Sequence, residues 1–154
     1  MIINGKDLLA LEPLSPMVLT KEYHEESGTS FGLTECGYDI RIDQDVWLFL
    51  GRRFVLASSI EKFRVPHTLM GRVLNKSTWA RLGVDASMTT NIEPGWVGFL
   101  TIELRYSGVL PLKIPKGSGI AQVIFEVLSN TAEYKGKYQD QVNSPQKAIL
   151  TKGN

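Results

Sequence analysis

The alternation of apolar and polar residues is clearest near the middle of the chain. Between residues 99 and 106 the side chains alternate with a period of two, which is typical of a strand with one buried face. The predicted apolar face comprises Leu100, Ile102, Leu104 and Tyr106. The opposite face carries Phe99, Thr101, Glu103 and Arg105. This stretch therefore predicts a half-buried strand that presents a carboxylate on its more polar side.

Other short apolar segments are separated by turn residues. The segments 46–50 and 54–57 flank Gly51-Arg52-Arg53, which predicts a hairpin. Further strands are predicted at 69–74, 110–114 and 120–128. Several short strands at this spacing predict a mainly β fold, either a sandwich or a barrel.

Helical signals are few. Asn4 precedes an apolar group formed by Leu8, Leu9 and Leu11, so we expect a short capped helix that ends before Pro13. A second helix of one or two turns is predicted after Lys76, ending at Gly83. Residues 22–34 are polar and rich in Gly and Ser, which predicts a loop.

The C-terminal part is polar and poor in large aliphatic residues. From residue 129 the chain carries few such side chains until Ile149-Leu150. We therefore expect residues 1–154 to form a single domain in which 129–154 is a mobile tail, unless a ligand orders it.

Composition narrows the class of protein. The net charge is +1, which gives no general reason to expect binding to nucleic acid or to a membrane. The single cysteine, Cys36, excludes an internal disulfide and favours a reducing compartment. The chain shows neither a signal peptide nor a run of about 20 apolar residues. The expected location is therefore cytoplasmic.

Residues 76–81 combine hydroxyls and cations at the start of the second predicted helix. Ser77 and Thr78 would lie where backbone N–H groups are unpaired, between Lys76 and Arg81. This combination suits a polyphosphate. An ordinary capped surface helix would show the same residue types, because Ser and Thr are common caps.

A zinc-dependent deaminase is not compatible with this sequence. That chemistry needs an H-x-E element and a P-C-x-x-C element to hold the metal. His24-Glu25-Glu26 spells the first element, but a single cysteine cannot supply the second. We therefore expect no protein-bound metal, and activation of water by a carboxylate.

Several sequence blocks resemble those of one enzyme family. Three of them occur in order: Lys76-Ser77-Thr78-Trp79-Ala80-Arg81-Leu82-Gly83, Ile92-Glu93-Pro94-Gly95-Trp96-Val97-Gly98 and Leu100-Thr101-Ile102-Glu103-Leu104. Together with blocks at 37–41, 119–122 and 134–141, they resemble the dCTP deaminase branch of the dUTPase-like superfamily. The resemblance implies a distorted jelly-roll or β-barrel of the dUTPase-like (β-clip) type with few short helices. It also implies a homotrimer with active sites at subunit interfaces.

The resemblance implies conversion of dCTP, or a related pyrimidine deoxynucleotide, to the uracil form with release of ammonia. Glu103 matches the catalytic glutamate, which takes a proton from the water that attacks cytosine C4. Ser77 would position that water or the phosphates. Arg81 would hold Glu103 or neutralise nearby charge. Mg²⁺ is expected on the substrate phosphates, and zinc is not expected.

The family pattern also implies residues that bind the substrate. Lys76 stands where many relatives have arginine, and Thr78 matches a phosphate-binding hydroxyl. Glu93 replaces an aspartate that meets the sugar 3′-hydroxyl. Counting back from Pro94, Thr89 matches the position whose backbone meets the pyrimidine, whereas counting forward from Gly83 gives Thr90.

Four further residues follow from the same resemblance. Gln122 is either structural or a contact close to the base. Tyr134 would stack over the nucleotide. Lys137 and Gln141 match tail residues that reach the triphosphate.

Three other functions remain open. A dUTPase of the same fold, or a bifunctional enzyme, would use an acidic residue at Glu93 to activate water near the α-phosphate. A deaminase that prefers dCMP would share the base site. A nucleotide-sensing protein without catalysis would keep the pocket. Glu103 favours deamination, because it has no evident role in a dUTPase.

Overall fold

The protein is described by a computed structural model that covers residues 1–150 of the 154. The described residues are mostly strand. The strands are β1 (Ile2–Ile3), β2 (Leu14–Ser15), β3 (Lys21–Tyr23), β4 (Ser30–Leu33), β5 (Tyr38–Arg41), β6 (Val46–Leu48), β7 (Phe54–Arg64), β8 (Leu69–Asn75), β9 (Val84–Asp85), β10 (Asn91–Ile92), β11 (Val97–Tyr106), β12 (Leu112–Ile114) and β13 (Gly119–Val127). The helices are α1 (Gly5–Leu11) and α2 (Ser77–Ala80). The prediction of a mainly β fold with few short helices is confirmed.

The strands form two main sheets and a small third one. The larger sheet has the order β10-β8-β13-β5-β4-β3, and β1 also pairs with β13. The second sheet has the order β2-β7-β11-β9, and β12 pairs with β6 alone. Residues of both main sheets form one hydrophobic core, which includes Tyr38 and Phe125 from the first sheet and Phe63 and Ile102 from the second.

Strand β11 follows the alternation read from the sequence. All four residues of its predicted apolar face are buried, and Ile102 and Leu104 are fully so. The other face is accessible to differing degrees, with Glu103 half-buried and Arg105 exposed. The strand pairs with β7 along most of its length, with an irregularity between Phe99 and Thr101. Burial of one face therefore fixes the side to which Glu103 points.

The segment 22–34 was predicted to be a loop, and this prediction is wrong. It contains the end of β3 and all of β4, which pair antiparallel from Lys21↔Gly32 to Tyr23↔Ser30. All three residues of β3 are exposed. A strand that buries no side chain at the edge of a sheet has no apolar alternation to reveal it, so only its Gly/Ser-rich turn was visible.

The hairpin predicted around Gly51 is correct in its turn and wrong in its pairing. The chain reverses there, with Phe49 and Arg52 exchanging backbone hydrogen bonds. Beyond that bridge, however, β6 pairs with β12, while β7 pairs with β11 and β2. Two apolar runs joined by a turn do not specify which neighbours will complete their ladders.

Helix α1 begins after Asn4 as expected, but the predicted side-chain cap is wrong. The Asn4 amide instead donates to the carbonyl of Glu35, at 2.8 Å. Of the predicted apolar group, Leu8 is fully buried, whereas Leu11 is 44% exposed. The asparagine therefore ties the helix to a neighbouring loop and leaves the first turn uncapped by its side chain.

Helix α2 occupies the predicted place, and its chain turns away at Gly83. The Trp79 indole is buried and donates to the carbonyl of Gly119, at 2.7 Å. Gly83 has φ of 87°, which favours glycine, and a Cβ atom there would lie 2.8 Å from the Ser107 hydroxyl. The left-handed conformation expected of Gly83 is therefore confirmed, although α2 itself ends three residues earlier, at Ala80.

The C-terminal segment lies along the first half of β11. The backbone N–H of Asp140 donates to the carbonyl of Val97 at 2.8 Å, and the backbone N–H of Phe99 donates to the carbonyl of Gln141 at 3.0 Å. The Trp96 indole donates to the carbonyl of Tyr138 at 2.6 Å. The predicted mobility of 129–154 stays a prediction, and residues 151–154 lie outside the described part. Within residues 1–150, no helix has both the length and the apolarity to cross a membrane.

Candidate active site

A pocket of about 430 Å³ lies between the free edge of β11, the segment 88–93 and the C-terminal segment. Its walls include five residues that the sequence predicted for the site: Thr89, Glu93, Glu103, Tyr134 and Gln141. These residues come from three separate parts of the chain, and the fold of β11 brings them together.

Glu103 is one of two carboxylates that line this pocket, and Glu93 is the other. The Glu103 side chain makes neither a hydrogen bond nor an ion pair within residues 1–150. Partial burial raises its pKa above the ordinary value. A carboxylate with a raised pKa exchanges a proton more readily near neutral pH, which suits acid–base chemistry.

Apolar side chains of the neighbouring strand border Glu103. Leu56 of β7 is the direct cross-strand partner of Glu103, and Phe54 is the partner of Arg105. Both apolar side chains line the pocket. Directly opposite residues in antiparallel strands lie close enough to contact, so Leu56 and Phe54 form an apolar wall beside the carboxylate.

Thr89 lies on the other side of Glu103 and is almost completely buried. Its hydroxyl accepts a hydrogen bond from the backbone N–H of Glu103, with an N···O distance of 2.6 Å. Glu93 is exposed at the rim of the same pocket. The segment before β11 thus contacts both the backbone of the candidate base and the pocket opening.

The C-terminal segment forms the third wall. The Gln141 side chain accepts from the Thr101 hydroxyl at 3.0 Å, and Tyr134 packs against the core. Tyr138, from the segment matched to nucleotide closure, also lines the pocket.

Trp96 has two roles in the structure. It is 5% exposed and packs against Phe63 with ring centroids 6.0 Å apart, so it belongs to the hydrophobic core. It also contributes to the pocket wall.

Lys137 is not part of the pocket wall. Its ammonium donates to the carbonyl of Ile149 and lies 5.5 Å from the centre of the Tyr138 ring. In this arrangement the cation is held by the last described residues of the chain.

Helix α2 does not contribute to the pocket walls within this chain. Ser77, Thr78 and Arg81 are all exposed on or beside it. Lys76, by contrast, points inward and forms an ion pair with Asp39, and its ammonium donates to the Ser30 hydroxyl at 2.8 Å. The structure therefore separates Lys76, which anchors the start of the helix, from the three residues that remain accessible.

Gln122 lies on β13, away from the pocket walls. Its amide donates to the Thr34 hydroxyl at 3.1 Å, and the same hydroxyl accepts from the backbone N–H of Gly37. These contacts tie β13 to the turn before β5. In the described chain, Gln122 makes a structural contact.

Comparison with known proteins places the chain in a family. A model of the dCTP deaminase-like family matches residues 35–128. The dCTP deaminase of Chlamydia pneumoniae is 34% identical over 154 aligned residues, covering 77% of this chain and 80% of that protein. The dCTP deaminase of Dechloromonas aromatica is 34% identical over 164, covering 85% and 86%. The chain belongs to the dCTP deaminase-like family.

Solved structures show the same fold at lower sequence identity. The dCTP deaminase of Agrobacterium tumefaciens has a TM-score of 0.60 at 15% identity, covering 82% of this chain and 48% of that chain. The EIAV dUTPase has a TM-score of 0.55 at 21% identity, covering 82% and 98%. A mutant dUTPase from phage phi11 of S. aureus, which coordinates a structural Mg(II) ion, has a TM-score of 0.53 at 14% identity, covering 77% and 89%. The expected dUTPase-like fold is confirmed.

The matched region of this dCTP deaminase-like chain contains α2, β11 with Glu103, β13, and Thr89 between β9 and β10. Within residues 1–150, no group of three or more His, Cys, Asp or Glu side chains is arranged to hold a metal ion. The chemistry that the pocket itself offers is proton transfer by a partly desolvated carboxylate, next to an apolar wall that can contact a flat base.

Proposed function

We propose that the protein converts dCTP and water to dUTP and ammonia. The observation that carries this proposal is the Glu103 carboxylate, which is unpaired, has a raised pKa and faces a pocket. The pocket also contains the apolar wall and hydrogen-bonding groups that a pyrimidine nucleotide requires. The dCTP deaminases at 34% identity support the choice of reaction.

In the proposed mechanism, Glu103 takes a proton from a water molecule as its oxygen bonds to cytosine C4. The carboxyl group then gives this proton to N3, takes the proton of the new C4 hydroxyl and passes it to the amino group, so that the C4–N bond breaks, ammonia leaves and the C4 carbonyl forms. General base and general acid are therefore the same side chain in two steps. A raised pKa assists both steps, because the proton must be accepted and then released again.

We further propose that Ser77, Thr78 and Arg81 reach the pocket of a neighbouring subunit in a homotrimer. All three are exposed, and none lines the pocket of its own chain. Arg81 would then lie near Glu103, while Ser77 and Thr78 would contact phosphates or the attacking water. Lys76 would hold the start of the helix through Asp39 rather than contact the nucleotide.

The phosphates are proposed to lie towards the C-terminal segment. Gln141 is already at the pocket, and Lys137 would release the Ile149 carbonyl to bind a phosphate. Mg²⁺ would accompany the phosphates, since they supply the oxygen ligands that this ion prefers. We place the reaction in the cytoplasm, where nucleotide pools are maintained and a free thiol such as Cys36 stays reduced.

Hydrolysis of dUTP, alone or combined with deamination, is the second candidate function. Glu93 lines the pocket with its side chain exposed, so a second carboxylate is available for water activation. Glu103 favours deamination, because only that reaction needs a base at the pyrimidine.

One assay separates these functions. The purified protein is incubated with Mg²⁺ and, in parallel, with dCTP, dCMP or dUTP, and ammonia and pyrophosphate are measured. Ammonia from dCTP without pyrophosphate supports the proposal. Faster release of ammonia from dCMP than from dCTP would identify the monophosphate as the preferred substrate. Pyrophosphate from dUTP identifies a dUTPase, and both products from dCTP identify a bifunctional enzyme. Nucleotide binding without either product would contradict the proposal and indicate a sensor.

A further inference from the structure

We propose that Thr89 is a positioning residue for Glu103, acting through the hydrogen bond between its hydroxyl and the Glu103 backbone. This inference rests on the proposed function, because it assigns Thr89 a part in holding the catalytic carboxylate. It differs from the sequence-based expectation, in which the backbone of this position contacts the pyrimidine.

The Glu103 N–H group has no strand partner at the edge where it lies. Strand β9 covers this edge of β11 only at Arg105↔Asp85 and Tyr106↔Val84. After Asp85 the chain turns away, with the Ala86 N–H bound to the Asn75 side chain. The next N–H of β11 on this side belongs to Glu103, two residues before Arg105. The Thr89 hydroxyl accepts it at 2.6 Å and so replaces the missing strand.

Thr89 is itself held from both sides, so it can act as a fixed point. Its own N–H donates to the carbonyl of Ala86 at 3.1 Å. The next residue, Thr90, accepts from the Val73 N–H of β8 at 2.9 Å, and β10 then pairs with β8. Thr89 is 7% exposed, which leaves its side chain little freedom to rotate. The hydroxyl therefore links the catalytic strand to the larger sheet.

The hydrogen bond to Thr89 holds the Glu103 backbone, and the position of that backbone determines where the carboxylate points. Its side chain has no partner of its own within residues 1–150, so no direct contact aims it. The backbone is fixed on one side by β7, through Leu56, and on the other by Thr89. Loss of the second contact would let this stretch of β11 shift along its free edge, and the carboxylate would move with it.

The test compares Thr89→Val, which keeps the shape but removes the acceptor, with Thr89→Ser, which keeps the hydroxyl. Thr29→Val is the matched control. Thr29 is another buried threonine whose hydroxyl bonds to a neighbouring side chain, Ser27, but it lies outside the pocket walls. Steady-state kinetics with dCTP and amide hydrogen exchange of Glu103 are measured for all three variants and for the wild type.

Thr89→Val is expected to lower kcat about 10- to 100-fold with KM changed by less than about threefold, because small misplacements of a reacting group have effects of this order. Its Glu103 amide should exchange faster. Thr89→Ser should restore both values, and Thr29→Val should leave kcat unchanged. In the Glu103→Gln background, Thr89→Val should lower residual activity far less, because the base that it positions is already absent.

Wild-type kcat in folded Thr89→Val, or unchanged protection of its Glu103 amide, would overturn the inference. So would an equal loss of activity in the Glu103→Gln background, which would indicate a general structural role. If the wild type releases no ammonia, the proposed function fails. The exchange measurement then decides by itself whether Thr89 holds the Glu103 backbone.

Discussion

Two glutamates on paired strands show how different surroundings assign different roles to one side chain. Glu61 of β7 is completely buried, and its carboxylate accepts from both the backbone N–H and the Nε–H of Arg41, at 2.9 and 2.8 Å. Glu103 of β11 is half-buried and has no partner within residues 1–150. Burial raises the pKa of both carboxyl groups.

The comparison teaches that a raised pKa does not by itself identify a catalytic group. Glu61 has every oxygen near a donor and no access to a pocket, so its burial serves to join β5 to β7. Glu103 combines desolvation with an open side and an unused acceptor. Access to the pocket and the lack of a partner, rather than the raised pKa, distinguish Glu103 from Glu61 and support its proposed role as the base.

The largest expected effect comes from Glu103→Gln. Glutamine keeps the shape but cannot take a proton from water, so ammonia release should fall about 10²- to 10⁴-fold or more. Binding of an unreactive dCTP analogue and the melting temperature should stay close to those of the wild type. Near-normal turnover in the folded variant would show that Glu103 is not the base. Glu103 and Glu61 would then no longer differ in function.

Glu61→Gln should have the opposite profile. It leaves the Arg41 guanidinium without its carboxylate in the protein interior, which should lower the free energy of unfolding by about 3–5 kcal/mol. Turnover per folded molecule at low temperature should change little. Denaturant unfolding measures the loss.

Glu126→Gln is the matched control for that variant. Glu126 pairs with Arg72 at 2.9 Å, but Arg72 is largely exposed. Breaking an exposed pair should cost less than about 1 kcal/mol. Equal losses of unfolding free energy in the two variants would show that the buried ion pair stabilises the protein no more than the exposed pair does.

Truncation after Asn130 tests the third wall of the pocket. It removes Tyr134, Lys137 and Gln141, while the sheets that form the core remain. Each lost hydrogen bond to a charged phosphate contributes about 1.5–3 kcal/mol, so KM for dCTP should rise about tenfold or more. The unfolding midpoint should change much less.

Hydrogen exchange of residues 134–141, with and without an unreactive dCTP analogue, tests the predicted mobility directly. Slower exchange with the analogue is expected if the segment closes over phosphates. Identical exchange in the two states would show that this segment is not a phosphate lid.

The smallest expected effect is a pH dependence of stability. Because the pKa of Glu103 is raised in the folded state, the folded form favours the protonated carboxyl. Its stabilising contribution is therefore present below the unfolded-state pKa and is lost as pH rises through the folded-state pKa. The acid limb of kcat/KM should accordingly lie above the ordinary glutamate value of 4.5. In Glu103→Gln this part of the stability profile should flatten, and an unchanged profile would contradict the assignment.

The elements that the sequence predicted well are those that bury one face. β8, β11 and β13 were all visible from their apolar residues. The sequence does not reveal β3, because this strand buries no side chain. The predicted pairing of β6 with β7 is wrong, because β6 pairs with β12, which is distant in the sequence. Local patterns report burial, whereas strand order is a property of the whole chain.

The candidate site shows the same division. Residue types and family blocks selected Glu103, Thr89 and Gln141, and the fold places all three at one pocket. The inward turn of Lys76 to Asp39 could not be read from the sequence, because it depends on a strand 37 residues away. The hydrogen bond from Glu103 to Thr89 was equally hidden, since it depends on where β9 ends.

Trp96 makes the state of the C-terminal segment observable by fluorescence. Its indole N–H donates to the Tyr138 carbonyl, so detachment of the segment would expose the ring to water and shift its emission to longer wavelength. The other tryptophans are separate from this contact, with Trp47 half-exposed and Trp79 bound to Gly119. Replacing both with phenylalanine would leave one emitter at the junction of pocket and tail. Stopped-flow mixing with nucleotide could then time tail movement and turnover in the same molecule.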